Sequence, residues 1–261
     1  MRQKIAALLV AAALLPMHEP GSPEGTHAER DNELVTYENT SVGGILTPPE
    51  ELGDCFYTIT EEPVKGSLSI MENGCFVYTP SSGRRGRDSF SYRVSDGSGS
   101  LSPETRVRIR IAEQSEGVYY EDMHGRAEAF AAARLSEEGL FTGEYLVGRY
   151  CFNPEKPVTR GEFLSICLSL SGRPILSAVQ CTGRGDDAAI PAWMKGYVLS
   201  ASLQGVSVDR GSDFDGAAPI TQEEAAQMAR ELLKITWEPD APDAELERGL
   251  MAQLLLEKLE E

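Results

Sequence analysis

The sequence predicts a multidomain chain: an all-β immunoglobulin-type sandwich followed by an all-α set of helical repeats. Three observations carry this. Between Cys55 and Ile111, five short runs alternate apolar and polar residues and are separated by turn clusters, the pattern of an antiparallel sandwich. Farther on, a capped-helix device occurs twice, displaced by 62 positions, and such internal repetition marks a repeat architecture. A short polar stretch, Glu113 to Val118, separates the two regions.

The chain has 261 residues, 41% hydrophobic and 25% charged, enough for two globular domains. Its formal net charge of −17 argues against nucleic acid or an anionic membrane as a partner attracted by bulk charge. Arg2 and Lys4 precede the apolar run Ile5 to Leu15, which reads as a secretory signal peptide over 1–18 and is too short to span a bilayer. No second apolar span follows, so the chain is expected to be secreted and not membrane-spanning. Residues 19–31, rich in Pro, Gly and Glu, read as a disordered leader.

The sandwich is expected over 32–112. Its runs are Cys55 to Ile59, Ser67 to Ile70, Cys75 to Thr79, Ser89 to Val94 and Thr105 to Ile111, with turns at Pro63 to Gly66, Glu72 to Gly74, Ser81 to Arg87 and Asp96 to Gly99. Cys55 and Cys75, two of five cysteines, form a candidate pair in an oxidising compartment. Arg106, Arg108 and Arg110 alternate onto one face, read first as a solvated outer sheet surface and second as a dock for an acidic glycan or for the chain's own acidic half. Asp88 and Asp96 fall short of a calcium cage.

After the linker at 113–118, one repeat is expected over 119–173 and a second, degenerate one over 179–236. In the first, an Ala-rich helix runs from Gly125 to Glu138. A loop from Glu144 to Tyr150 then leads into Phe152-Asn153-Pro154-Glu155-Lys156-Pro157-Val158-Thr159-Arg160-Gly161-Glu162-Phe163. The prolines hold an extended lead-in, Thr159 caps a helix, and Glu162 completes a capping box. Phe163, Ile166, Cys167 and Leu170 form its apolar stripe. The second repeat has a helix from Pro191 to Gln204, the matching lead-in from Phe214, and a helix from Thr221 to Ile235 boxed by Glu224. A final amphipathic helix is expected over 243–261. A third Phe-x-Pro…Thr-Arg run is absent, so that helix is read as a remnant covering the bundle or as a pairing surface for another chain.

The Phe-x-Pro…Val-Thr-Arg-x-Glu-Phe run, together with Tyr120-Glu121-Asp122-Met123 and Gly139-Leu140-Phe141-Thr142-Gly143, resembles the S-layer homology (SLH) repeat of bacterial surface proteins. The run from Gly66-Ser67-Leu68-Ser69 through Gly74-Cys75-Phe76-Val77-Tyr78-Thr79-Pro80 and Asp88-Ser89-Phe90-Ser91-Tyr92 to Ser95-Asp96-Gly97 resembles bacterial cadherin-like or immunoglobulin-like modules. The first resemblance implies three repeats around a pseudo-threefold bundle and non-covalent anchoring to an anionic secondary cell-wall polymer, a pyruvylated glycan. It further implies a glycan-binding set of Arg160, Trp193, Thr159, Glu162 and Gln222. Arg160, in a helix first turn, would hold the acid through its planar fork. Gln222 stands where the second copy would carry that Arg, and Trp193 has its first-copy counterpart at Ala127. The second resemblance implies a displayed stalk or adhesive unit, open to a protein partner.

Enzyme chemistry is not expected. Of three histidines only His124 lies in the folded part, and no nucleophile-elbow, Walker or dinucleotide motif is present. No cofactor and no metal site is expected. The function implied is that of a non-catalytic, cell-wall-anchored surface protein. The alternative is a protein-interaction or envelope-assembly scaffold whose repeats no longer bind glycan.

Overall fold

The structure, a computed structural model, describes residues 33–48, 55–96 and 100–260; the signal peptide and leader read at 1–31 lie outside the described residues. Seven strands build the N-terminal module: β1 (Glu33–Tyr37), β2 (Val42–Ile45), β3 (Cys55–Glu61), β4 (Gly66–Ile70), β5 (Cys75–Pro80), β6 (Gly86–Asp96) and β7 (Thr105–Ala112). They form two sheets, ordered β1-β7-β6-β3 and β2-β5-β4. Alternation along each strand turns Phe76, Tyr78, Phe90, Val107 and Ile109 inward as the shared core, with the Phe76 and Phe90 rings edge-on at 5.2 Å. The sequence pattern announced β3 to β7. It missed β1 and β2, and the sandwich is not wholly antiparallel: β1 pairs with β7 in parallel, Glu33 beside Arg108 and Val35 beside Arg110. Cys55 and Cys75 are not joined by a disulfide, so the candidate pair is not formed. Asp88 is consumed by the fold: it accepts from the N–H groups of Val64 (3.0 Å) and Lys65 (2.8 Å) and from the hydroxyl of Tyr78 (2.8 Å).

The C-terminal module contains five helices, α1 (Ala129–Glu137), α2 (Arg160–Leu170), α3 (Ala192–Leu203), α4 (Gln222–Leu233) and α5 (Arg248–Leu259), and a hairpin of β8 (Glu144–Leu146) and β9 (Arg149–Cys151). Both capping boxes form, Thr159 with Glu162 and Thr221 with Glu224.

The reading of 243–261 as one helix is corrected. Pro242 to Ala244 form a turn, Glu245 to Glu247 are an extended lead-in, and the helix begins at Arg248. The lead-in residues stay extended because they pair with the two other lead-ins. Val158 N–H donates to Leu246 O (2.9 Å), Leu246 N–H to Ile220 O (2.9 Å), and Ile220 N–H to Val158 O (3.0 Å), closing a ring of three strands. The helix first turns close a second cycle in the opposite sense. Arg160 N–H donates to Ala218 O, Gln222 N–H to Ala244 O and Arg248 N–H to Lys156 O. These are backbone donors that a helix start leaves without intrahelical partners, and each copy satisfies them with the next copy's carbonyls. The chain therefore carries a third copy of the lead-in and its helix, and the triangle closes within one chain.

The copies also exchange helices. α1 packs on α5 and α3 packs on α2. Since no helix lies between α4 and α5, α4 keeps a polar outer face with Glu223, Gln227 and Arg230 exposed. The covered helices α2 and α5 are instead buried nearly all round. The segment that follows α2 lies tight against α3: a Cβ on Gly196 would sit 2.2 Å from the carbonyl oxygen of Leu176. We expect Gly196→Ala to cost about 2 kcal/mol, as overpacking does, with a lower denaturation midpoint by circular dichroism; an unchanged midpoint would refute the tight contact.

The two modules meet directly. Gly43 N–H donates to Ala127 O (3.1 Å) and Gly125 N–H to Ser41 Oγ (2.8 Å). The Tyr37 ring packs tilted against Phe130 with centroids 5.1 Å apart, and its hydroxyl donates to Glu137 (2.7 Å). Burial first, and then the Glu137 carboxylate, push the Tyr37 phenol up to about 12.

Candidate functional site

The ring of lead-ins creates two junctions of similar construction, one between the first two copies and one between the third copy and the first. The two differ in what lies over them. At the third-to-first junction the place corresponding to Trp193 is Ala127, and its carbonyl is bonded to Gly43 of the sandwich. The small residue there allows the backbone of β2 to approach, and the sandwich covers that groove. At the first-to-second junction no described residue lies over the corresponding site. It is an open groove of about 490 Å³ lined by Thr159, Glu162, Trp193, Met194, Arg210 and Asp215, among others.

Each wall has a local reason. Trp193 lies in the first turn of α3, 58% exposed, with Tyr197 one turn on and their ring centroids 6.2 Å apart. Thr159 and Glu162 stand at the start of α2, held by their mutual capping bonds. Asp186 accepts from the N–H groups of Phe214 (3.1 Å) and Asp215 (2.8 Å). The same device in the first copy has Asp122 accepting from Phe152 (3.0 Å) and Asn153 (2.7 Å). In both devices the second donor is itself left-handed, Asn153 at φ 53° and Asp215 at φ 52°, a conformation Asn and Asp tolerate best among side-chain-bearing residues. Gly161 lets Met194 close the groove floor, for a Cβ there would meet the Met194 methyl at 2.2 Å.

Arg160 does not line this groove, which corrects its expected role. Its side chain is 2% exposed. Nε donates to Phe214 O (3.0 Å), one Nη to Val208 O (2.5 Å) and the other to Glu224, while the guanidinium lies 5.7 Å from the Phe214 ring centre. Burial lowers its pKa, against the favourable charge of Glu224. Each of its three nitrogens donates inside the protein, so Arg160 clamps the second copy to the first. Arg248 does the same at the third-to-first junction: 4% exposed, it donates to Phe152 O (3.2 Å) and Glu144 (3.3 Å) and lies 4.9 Å from the Phe141 ring centre. Gln222, at the matching place in the second copy, faces the junction that has no covering helix and lies outside the groove lining.

The groove's cation is Arg210, which sequence reasoning missed. It forks onto Glu224 (2.8 and 2.7 Å) and reaches Asp215 at 3.4 Å. Beside it stand four carboxylates, Glu162, Asp186, Asp213 and Asp215. The groove offers an aromatic platform, acceptor-rich walls and one cation already engaged. That suits a ligand rich in hydroxyl donors better than an isolated carboxylate.

Among curated proteins no relative matches this chain. An endo-fucoidan hydrolase of glycoside hydrolase family 107, MfFcnA9, is 19% identical at a TM-score of 0.24, covering 35% of this chain and 18% of its own. The chain thus spans under a fifth of that hydrolase's length. The PKD domain from KIAA 1837 protein is 19% identical at a TM-score of 0.25, over 38% of this chain and 95% of that domain. Residues 25–109, which contain nearly all of the sandwich, match the family model of the bacterial Ig domain, and the N-terminal module is Ig-like.

Proposed function

We propose that this chain is a non-catalytic exported surface protein that attaches to a cell-wall glycan through the groove between its first two helical copies and displays the Ig-like sandwich. The observation that carries this reading is the exposed Trp193 at the rim of an otherwise preformed groove. A large aromatic ring left in solvent beside fixed polar groups is the arrangement on which a sugar ring lays its C–H face while its hydroxyls donate to carboxylates. The match of residues 25–109 to the bacterial Ig domain and the signal-like N-terminus support an extracellular setting. The wall polymer implied by the SLH resemblance is the partner, and its hydroxyl-bearing sugars rather than its acidic groups enter the groove.

Co-sedimentation with purified, protein-free cell walls tests this. Wild type should pellet, and Trp193→Ala, whose side chain is mostly in solvent, should stay folded and lose at least about tenfold in apparent affinity, as loss of an aromatic anchor does. If both proteins remain in the supernatant while folded, the groove is not an anchor. The scaffold reading then takes its place, favoured by the junction the sandwich already covers.

A further inference from the structure

The outer face of the β1-β7-β6-β3 sheet concentrates positive charge in a chain of net charge −17. β7 turns Arg106, Arg108 and Arg110 outward, and all three are exposed. Strand pairing sets Arg87 directly opposite Arg110, Ser89 opposite Arg108 and Ser91 opposite Arg106. Farther along β6, Arg93 stands opposite Thr58 of β3. Five arginines and the half-buried Ser89 thus share one pleated surface, whereas Ser91 is buried and donates its hydroxyl to Glu61 (3.2 Å).

This arrangement costs the sandwich something. Like charges directly opposite on neighbouring strands repel, and Arg87 and Arg110 share a single carboxylate, Glu33, at 4.0 and 3.7 Å. The Arg87 side chain is 88% exposed. Arg106 is paired with Glu61 and Arg93 lies 3.7 Å from Glu104, while Arg93 Nε has no hydrogen-bond acceptor among the described residues. Five arginines on one face reverse the average of a chain with 24 basic and 41 acidic residues. Along β7 the charges recur every second residue, about 7 Å apart, and neighbouring strands lie about 4.8 Å away. Rigid forks at such intervals suit a linear chain carrying an acidic group on each unit or every second unit.

We propose that this sheet face is a binding site for an acidic polysaccharide. The choice of a glycan over other polyanions rests on the exported-surface reading; the site itself shares no residue with the Trp193 groove. The arginines take the acidic groups, and the half-buried Ser89 between them donates to a sugar oxygen. The protein would then grip a wall polymer at two places of different chemistry, sugar faces on the helical module and acidic groups on the sandwich.

The test uses the full chain with three probes: polygalacturonate, dextran sulfate and uncharged dextran. Titration calorimetry should show binding to the two acidic polymers and none to dextran, with affinity falling about tenfold or more between about 50 and 200 mM salt, as displaced counterions require. The triple serine variant (Arg106→Ser, Arg108→Ser, Arg110→Ser) should lose at least about tenfold in affinity, the triple lysine variant should retain most of it, and Trp193→Ala should bind acidic probes like wild type. If the triple serine variant fails to fold, Arg87→Ser alone, at the most exposed position, should still weaken binding several-fold. No binding of either acidic polymer at low salt, or full binding by the folded serine variants, overturns the proposal. Equal or tighter binding of a single-stranded oligodeoxynucleotide of matched charge overturns the assignment to glycan. Loss of wall pelleting in Trp193→Ala with acidic-probe binding intact separates failure at one site from failure at the other.

Discussion

Replacing Arg160 by alanine is expected to unfold or loosen the helical module rather than to abolish ligand binding selectively. The guanidinium is enclosed and bonded to Phe214 O, Val208 O and Glu224. Removing it leaves two buried carbonyls without donors and takes away one of the two cations of Glu224. Breaking a buried charge pair from one side costs about 3–5 kcal/mol, a shift on the order of 10 °C in the melting midpoint of a module this size. Arg160→Lys keeps the charge but cannot reach three acceptors with one fork, so it should recover only part of the loss. Denaturant titration followed by circular dichroism reads this directly. A wild-type midpoint in Arg160→Ala, combined with lost wall binding, would restore Arg160 to the ligand site and end the clamp assignment.

The same logic extends to Arg248, whose bonds to Phe152 O and Glu144 join the third copy to the first. Two arginines at matching helix positions each reach the carbonyl of the Phe that precedes a neighbouring lead-in. They make a repeat array cooperative: neither helix start is complete without residues from another copy. In a solenoid each unit contacts its neighbours and the ends stay open. Here the third lead-in returns to the first, and no end of the lead-in ring is left open.

How much of this was legible in the sequence can be judged residue by residue. The capping boxes at Thr159 and Thr221 were readable because a cap is written in four consecutive residues. The five strands from Cys55 to Ala112 were readable because alternation is local. The third copy was hidden because its lead-in, Glu245 to Glu247, has lost both the Phe and the Thr that mark the others. What survives is Leu246-x-Arg248-Gly249, which repeats Val158-x-Arg160-Gly161 at a displacement of 88, a signal too short to stand alone. The burial of Arg160 was not legible, since its acceptors lie 48 and 54 positions away and a first-turn arginine is ordinarily solvated. The absence of a ring at Ala127 looked like decay of a motif. In the structure it is the place where the sandwich backbone docks.

Acid should open the junction between the first two copies, and Glu224 is the group that makes it do so. Burial alone would raise its pKa. The fork of Arg210, the N–H of Thr221 and the charge of Arg160 instead hold it down to about 2, from an ordinary value of 4.5. A carboxyl depressed by folding stabilises the native state above its unfolded pKa and gives that up as pH falls through the folded one. The shift corresponds to on the order of 3 kcal/mol, present at neutral pH and lost between about pH 5 and pH 2. Glu224→Gln removes the charge at every pH. Its deficit against wild type should therefore be largest at pH 7 and shrink toward zero near pH 2, while depressed carboxylates elsewhere, such as Asp88, weaken both proteins alike. Denaturant midpoints for the pair at pH 7, 5, 4 and 3 decide the matter. A gap that stays constant across that range would mean Glu224 is not the acid-sensitive tie, and the junction would have to draw its stability from packing and backbone bonds alone.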